Sequence, residues 1–147
     1  MTGDDGTESS GTDASGAPVD WDRLDLIAER LAGSKRFHRV ESQPAFAPDR
    51  IVCVYESKLY PQRVQAAQIE IAWFQNGDFS IHYHGDHDSG TFDHRWDRHP
   101  SDHNTRDHVH PGPDAPTPGD DATHPRDWRD TLSTVLEEVE DRQRGFW

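Results

Sequence analysis

Lysine is nearly missing from this chain: Lys35 and Lys58 are the only two. Arg takes its place among the bases, and Asp far outnumbers Glu among the acids. Acidic residues exceed basic ones by 28 to 15, which sets a formal charge of -13 over 147 residues. A merely acidic protein of an ordinary cell would account for the charge alone. Lysine avoidance together with an excess of short, water-holding carboxylates fits a protein that works in molar salt. There the Debye length is about 3 Å, so self-repulsion is screened. The same screening removes the usual objection to a polyanionic partner. RNA or DNA stays open.

Cysteine is almost absent too. Cys53 stands alone within Ile51-Val52-Cys53-Val54-Tyr55, so no internal disulfide can form, and the setting is that of a buried core thiol. Nothing in the chain approaches the ~20 consecutive apolar residues of a membrane span. A basic start followed by an apolar core, the mark of a signal peptide, is missing as well. The expectation is a cytoplasmic protein without a membrane partner. Residues 1–18 hold almost nothing apolar and are expected to form a disordered acidic tail before a single domain at 19–147. Residues 111–124 read as a Pro/Asp-rich surface loop, because Pro111 to Asp121 carries four prolines and three acids.

Within the domain the apolar spacing is legible. Trp21, Leu24, Ala28 and Leu31 recur at helical spacing, widened by Leu26 and Ile27. Asp20 or Asp22 suits the start of that helix and Gly33 its end. Strands are expected at Lys35–Ser42, Arg50–Glu56, Val64–Phe74, Phe79–His84 and Thr91–Asp97. Asn76-Gly77 marks a tight hairpin, and Gly85–Gly90 a further turn. Pro125 to Arg144 carries a second helical stripe through Trp128, Leu132, Val135, Leu136 and Val139. The fold class is therefore α+β: an antiparallel β-meander of about five strands packed against an N-terminal and a C-terminal helix.

Alternation then assigns faces. Phe79, Ile81 and Tyr83 point one way, and Ser80, His82 and His84 the other. Phe92, His94 and Trp96 likewise oppose Asp93, Arg95 and Asp97. The two polar sets are expected side by side on the face away from the helices. Nine of the ten histidines fall between 82 and 124. One reading is acid/base chemistry on a phosphodiester, with His moving protons and Arg holding phosphate. A second is a zinc site drawn from His82, His84, His108 and His110, with Asp97 or Asp102 to complete it. A third is that loop histidines only bind one another and the turns. The basic run Lys35-Arg36-Phe37-His38-Arg39 is either a nucleic-acid grip or one solvated strand face with Phe37 turned inward.

The run Arg95-Trp96-Asp97, then His99-Pro100, His103 and His108-x-His110 after a hairpin, resembles the TumE-like toxins of toxin–antitoxin modules. The resemblance covers roughly residues 35–140. It implies a growth-inhibiting toxin neutralised by a cognate antitoxin protein, with Arg95, Asp97, His99, His103, His108 and His110 as the catalytic candidates. The expected activity is that of a ribonuclease needing neither metal nor other cofactor. One histidine would take the 2′-hydroxyl proton and another protonate the leaving 5′-oxygen. Arg95, with Arg98 or Arg106, would hold the charge at phosphorus, and Asp97 would orient a tautomer. The alternative is a non-enzymatic, histidine-rich protein that binds zinc or a partner.

Overall fold

The computed structural model describes residues 15–147. Helix α1 spans Trp21–Ala32, where the Asp20 carboxylate accepts from the Arg23 N–H at 3.0 Å and Gly33 ends the helix. Leu24, Ile27 and Leu31 are its buried side chains. Leu26, assigned above to the same stripe, is exposed, since two residues along a helix turn a side chain about 200° from Leu24.

Seven strands follow, not about five: β1 Phe37–Gln43, β2 Arg50–Tyr55, β3 Val64–Trp73, β4 Phe79–His87, β5 Gly90–Arg98, β6 Asp107–His110 and β7 Asp120–Asp121. They form one sheet in chain order with every neighbouring pair antiparallel. The meander is as expected, and β6 and β7 extend it. The Asn76-Gly77 hairpin forms, with Gly77 at φ 90° and the Asn76 side chain accepting from the Asp78 N–H. Gly85, expected to begin a turn, instead lies inside β4 opposite Phe92. A Cβ there would meet the Phe92 ring at 2.0 Å, so only glycine lets that ring cross the strand. The reversal comes later, between His87 and Gly90.

Helix α2 spans Trp128–Gly145 and is capped by Asp127, whose side chain accepts from the Arg129 N–H at 2.8 Å. Pro125, expected in its first turn, stands before the cap and gives its carbonyl to Arg98 and to Thr131. Both helices cover the same face of the sheet. Arg23 and Arg30 of α1 lie over the ring of Trp128, which opens α2. Between helices and sheet sit Ile51, Cys53, Ile69, Ile71, Phe79, Ile81 and Tyr83, all essentially inaccessible. Each such aliphatic or aromatic side chain contributes about 1.5–3 kcal/mol by leaving water. A buried polar chain ties the layers, the amide of Gln143 donating to the Tyr60 hydroxyl, which bonds that of Tyr83 at 2.8 Å. Cys53 belongs to this core, where burial pushes its thiol up to about 12. That leaves no nucleophile at neutral pH.

The chain is docked before residue 19. The Gln75 N–H donates to the Pro18 carbonyl, and Ser15 donates to Asp78. Residues 1–14 of the expected tail lie outside the described residues. Phe37 is buried, and Arg36 pairs with Glu140 of α2 at 2.5 Å. Lys35, His38 and Arg39 face solvent. Among the described residues no helix is long and apolar enough to cross a membrane.

Candidate functional site

The face away from the helices is ordered by strand register. Ser80 lies opposite Asp97, His82 opposite Arg95, and His84 opposite Asp93. On the other side of β5, Arg95 faces His110 and Asp97 faces His108. Directly opposed residues share a face, so the two polar sets do lie side by side.

Asp97 is the centre of one group. The carboxylate is fully buried, and four side chains converge on its Oδ2. Arg95, two residues earlier on the same strand, donates from Nε at 2.9 Å. His99, two residues later, brings Nε2 to 3.3 Å. From β6, His108 and His110 bring Nε2 to 3.5 and 3.3 Å. His108 and His110 are themselves buried. Loop 111–119 folds back over them, with Gly119 packed on the Val109 backbone where a Cβ would lie 2.2 Å from the carbonyl oxygen. Asn104 locks that loop by donating to the Gly119 carbonyl at 2.9 Å.

Every one of these imidazoles spends Nδ1 on the backbone. His99 faces the Pro100 carbonyl at 2.8 Å, His108 those of Thr105 and Arg106 at 3.0 and 3.1 Å, and His110 that of Pro116 at 2.8 Å. A carbonyl only accepts, so each Nδ1 carries the proton. Burial by itself would raise the Asp97 carboxyl. Its contacts with His108, His110 and His99 and the charge of Arg95 outweigh burial and hold it well below the usual carboxylate range. Asp97 in turn raises His108 above its ordinary value, against the opposing effect of burial.

The second group lies one step along the sheet. Asp93 Oδ1 is 2.7 Å from Nε2 of His82 and 2.7 Å from Nδ1 of His84. The other His84 nitrogen faces Asp86 at 3.4 Å. Burial would lower His84, but the Asp93 carboxylate and then Asp86 raise it overall. The four histidines considered together for zinc are thus divided, His82 and His84 turning to Asp93, His108 and His110 to Asp97.

Five of the six catalytic candidates meet: Arg95, Asp97, His99, His108 and His110. His103 does not, being exposed on the loop after β5 with its N–H on the Ser101 hydroxyl. Neither further arginine joins them. Arg98 lies over the Phe79 ring on the helix side and grips Asp107 through two hydrogen bonds of 2.7 and 3.2 Å. Arg106 reaches both oxygens of buried Asp78, at 2.6 and 2.8 Å. Asp93 was legible only as a member of the polar face; its placement between two histidines follows from register. His124, which bonds the Asp97 and His108 carbonyls through Nε2, carried no signal in its Pro-flanked setting.

Comparison with known families decides the kinship. Residues 24–143 match the family model described as Toxin TumE. The chain belongs to the TumE toxin family. Membership makes it a toxin of the toxin–antitoxin kind and implies an antitoxin partner. The matched span takes in both site groups and most of both helices. No curated protein matches the chain, and no solved structure does.

Proposed function

We propose that this TumE-family toxin acts in the cytoplasm on RNA, breaking a phosphodiester by proton transfer at histidines with Arg95 as the phosphate-holding group. One observation carries the reading. Arg95 is only half-buried and commits Nε alone to Asp97, and among the described residues its two Nη groups make no hydrogen bond. A guanidinium edge of that kind, pre-oriented by a buried carboxylate, matches two phosphate oxygens.

The imidazoles beside it differ in state. His84 is flanked by carboxylates at both nitrogens and carries the raised value, so it serves as the acid. His82 gives Nε2–H to Asp93, and its Nδ1 has no partner among the described residues, so it serves as the base. In the reaction the 2′-oxygen attacks phosphorus as His82 takes its proton. The bond from phosphorus to the 5′-oxygen breaks as His84 protonates the departing oxygen, leaving a 2′,3′-cyclic phosphate. Arg95 bears the charge that develops on the phosphoryl oxygens. Asp97, with His99, His108 and His110 around it, holds Arg95 in place from beneath.

The test is expression of the wild-type chain without an antitoxin, with RNA cleavage assayed in molar KCl. Growth arrest together with fragments ending in cyclic phosphate is the expected result. Growth arrest with intact RNA would overturn the reaction while leaving the toxin assignment standing.

A further inference from the structure

We propose that Asp97, His99 and His108 form a binding site for one divalent zinc-class ion, held entirely by this chain. The inference goes beyond the RNA reading and does not depend on it.

The proton inventory of the cluster is its starting point. With each Nδ1–H on a backbone carbonyl, the neutral form of each ring presents Nε2 as a bare lone pair. Three lone pairs would then face one buried carboxylate oxygen, acceptor against acceptor. Protonating all three rings instead would set three imidazolium charges around a single carboxylate that already holds Arg95, in a part of the protein closed to water. A single imidazolium would satisfy one of the three contacts and still leave two lone pairs on the same oxygen, so none of these states is a fully satisfied polar network. A cation at the point of convergence satisfies Asp97, His99 and His108 at once.

The distances agree. Separations of 3.3, 3.5 and 3.3 Å from Oδ2 are long for a hydrogen bond to imidazole, which at Asp93 measures 2.7 Å. Those of His99 and His108 match the ligand-to-ligand edges, about 3.3–3.4 Å, of a tetrahedron whose metal bonds are about 2.0–2.1 Å, and the ligand atoms of Asp97, His99 and His108 all lie within 4.8 Å of one another. The outer contacts agree as well. Metal-binding histidines as a rule donate their second nitrogen to a carbonyl or carboxylate, which fixes the tautomer that ligates. The remaining oxygen of Asp97, Oδ1, is buried and has no hydrogen-bond partner among the described residues, which leaves the cluster incompletely satisfied by them. The Asp93 group lacks these features, since there ordinary hydrogen bonds at 2.7 Å pair both imidazoles with the carboxylate.

Three protein ligands leave one position of a tetrahedral sphere open, and His110 borders it through its own 3.3 Å contact with the same carboxylate oxygen. The ion joins β5, the start of the following loop, and β6.

The experiment uses the full chain, purified without a histidine tag or chelator. Zinc is measured by elemental analysis, and then, after chelator treatment, Zn²⁺ alone is titrated calorimetrically. One equivalent of zinc is expected, with rebinding that raises the melting temperature. Cobalt substituted for zinc should give the intense visible bands of a tetrahedral site. His99→Gln, at the solvent edge of the cluster, should weaken zinc binding by at least about 10²-fold, whereas His103→Ala and His82→Ala should retain the full equivalent. Wild-type protein that neither contains zinc nor binds it on titration would overturn the proposal. So would an equivalent that survives His99→Gln and His108→Gln, or one that is lost in His82→Ala. None of these readings involves RNA, so failure here leaves the cleavage proposal intact, and the reverse holds.

Discussion

His82 stands directly opposite Arg95 across the β4–β5 pair, with about a third of each side chain open to solvent at 34% and 32%. Imidazole and guanidinium thus share one accessible strip, while the acid that anchors Arg95 lies sealed beneath it. Arg95→Ala should abolish growth arrest and cost about 10²–10³-fold in RNA cleavage. Arg95→Lys, which keeps the charge but loses the planar fork, should recover only part of that loss. His82→Ala and His84→Ala should each cost about 10²–10⁴-fold, and His103→Ala should leave the rate unchanged. Single-turnover assays in high salt check all five substitutions.

His84 gives a pH prediction. Its folded-state value is raised above the ordinary ~6.5 of histidine. A raised value means the folded protein binds that proton more tightly than the unfolded chain does. The stabilisation is therefore fully present below about pH 6.5 and is lost as pH rises through the folded value. Proton titration of the His84 ring by NMR should show a midpoint above 6.5, and Asp93→Asn should move it down. A midpoint below 6.5 in the wild type would contradict the assignment of His84 as the acid.

Gly119→Ala would set a methyl carbon 2.2 Å from the Val109 carbonyl oxygen, on backbone that cannot yield cheaply. The substitution should cost about 1–3 kcal/mol and lift the loop off His110. A thermal melt measures the loss, and faster hydrogen exchange at the β6 amides would locate it.

Salt dependence follows from composition. With a formal charge of -13, the domain should lose stability on dialysis from 2 M to 0.1 M KCl, as carboxylate repulsion becomes unscreened. Equal melting temperatures at the two concentrations would refute adaptation to salt.

Much of this architecture is readable from alternation and from a few turn residues. Phe79, Ile81 and Tyr83 against Ser80, His82 and His84 specify both β4 and its faces, and Asn76-Gly77 fixes where it begins. The same logic carries Arg95 and Asp97 to the open face. β6 escapes it because Val109 is the only apolar residue in Asp107–His110, so no hydrophobic period exists to read. The burial of Asp97 escapes it for another reason. Alternation gives a residue its face but says nothing of the Pro-rich loop that later covers that face. The fates of Arg98 and Arg106 are set by Asp107 and Asp78, partners 9 and 28 residues away. Charge at a given position was legible in the sequence. The partner that consumes it was not.

Asp78 is fully buried, yet it receives Ser15 from the start of the described chain and Arg106 from the loop between β5 and β6. Its carboxylate works as a knot joining the leading segment to the loop that supplies the Thr105 and Arg106 carbonyls to His108. Trimming the chain to residue 19 unties one strand of that knot and strips the Pro18 carbonyl from Gln75. A start at residue 15 keeps both. The two truncations differ by four small residues with no charge among them, and the shorter should melt lower and hold its histidine loop more loosely. A fusion partner or protease acting at the front of this protein would therefore be felt some ninety residues away, at the rim of the cluster around Asp97.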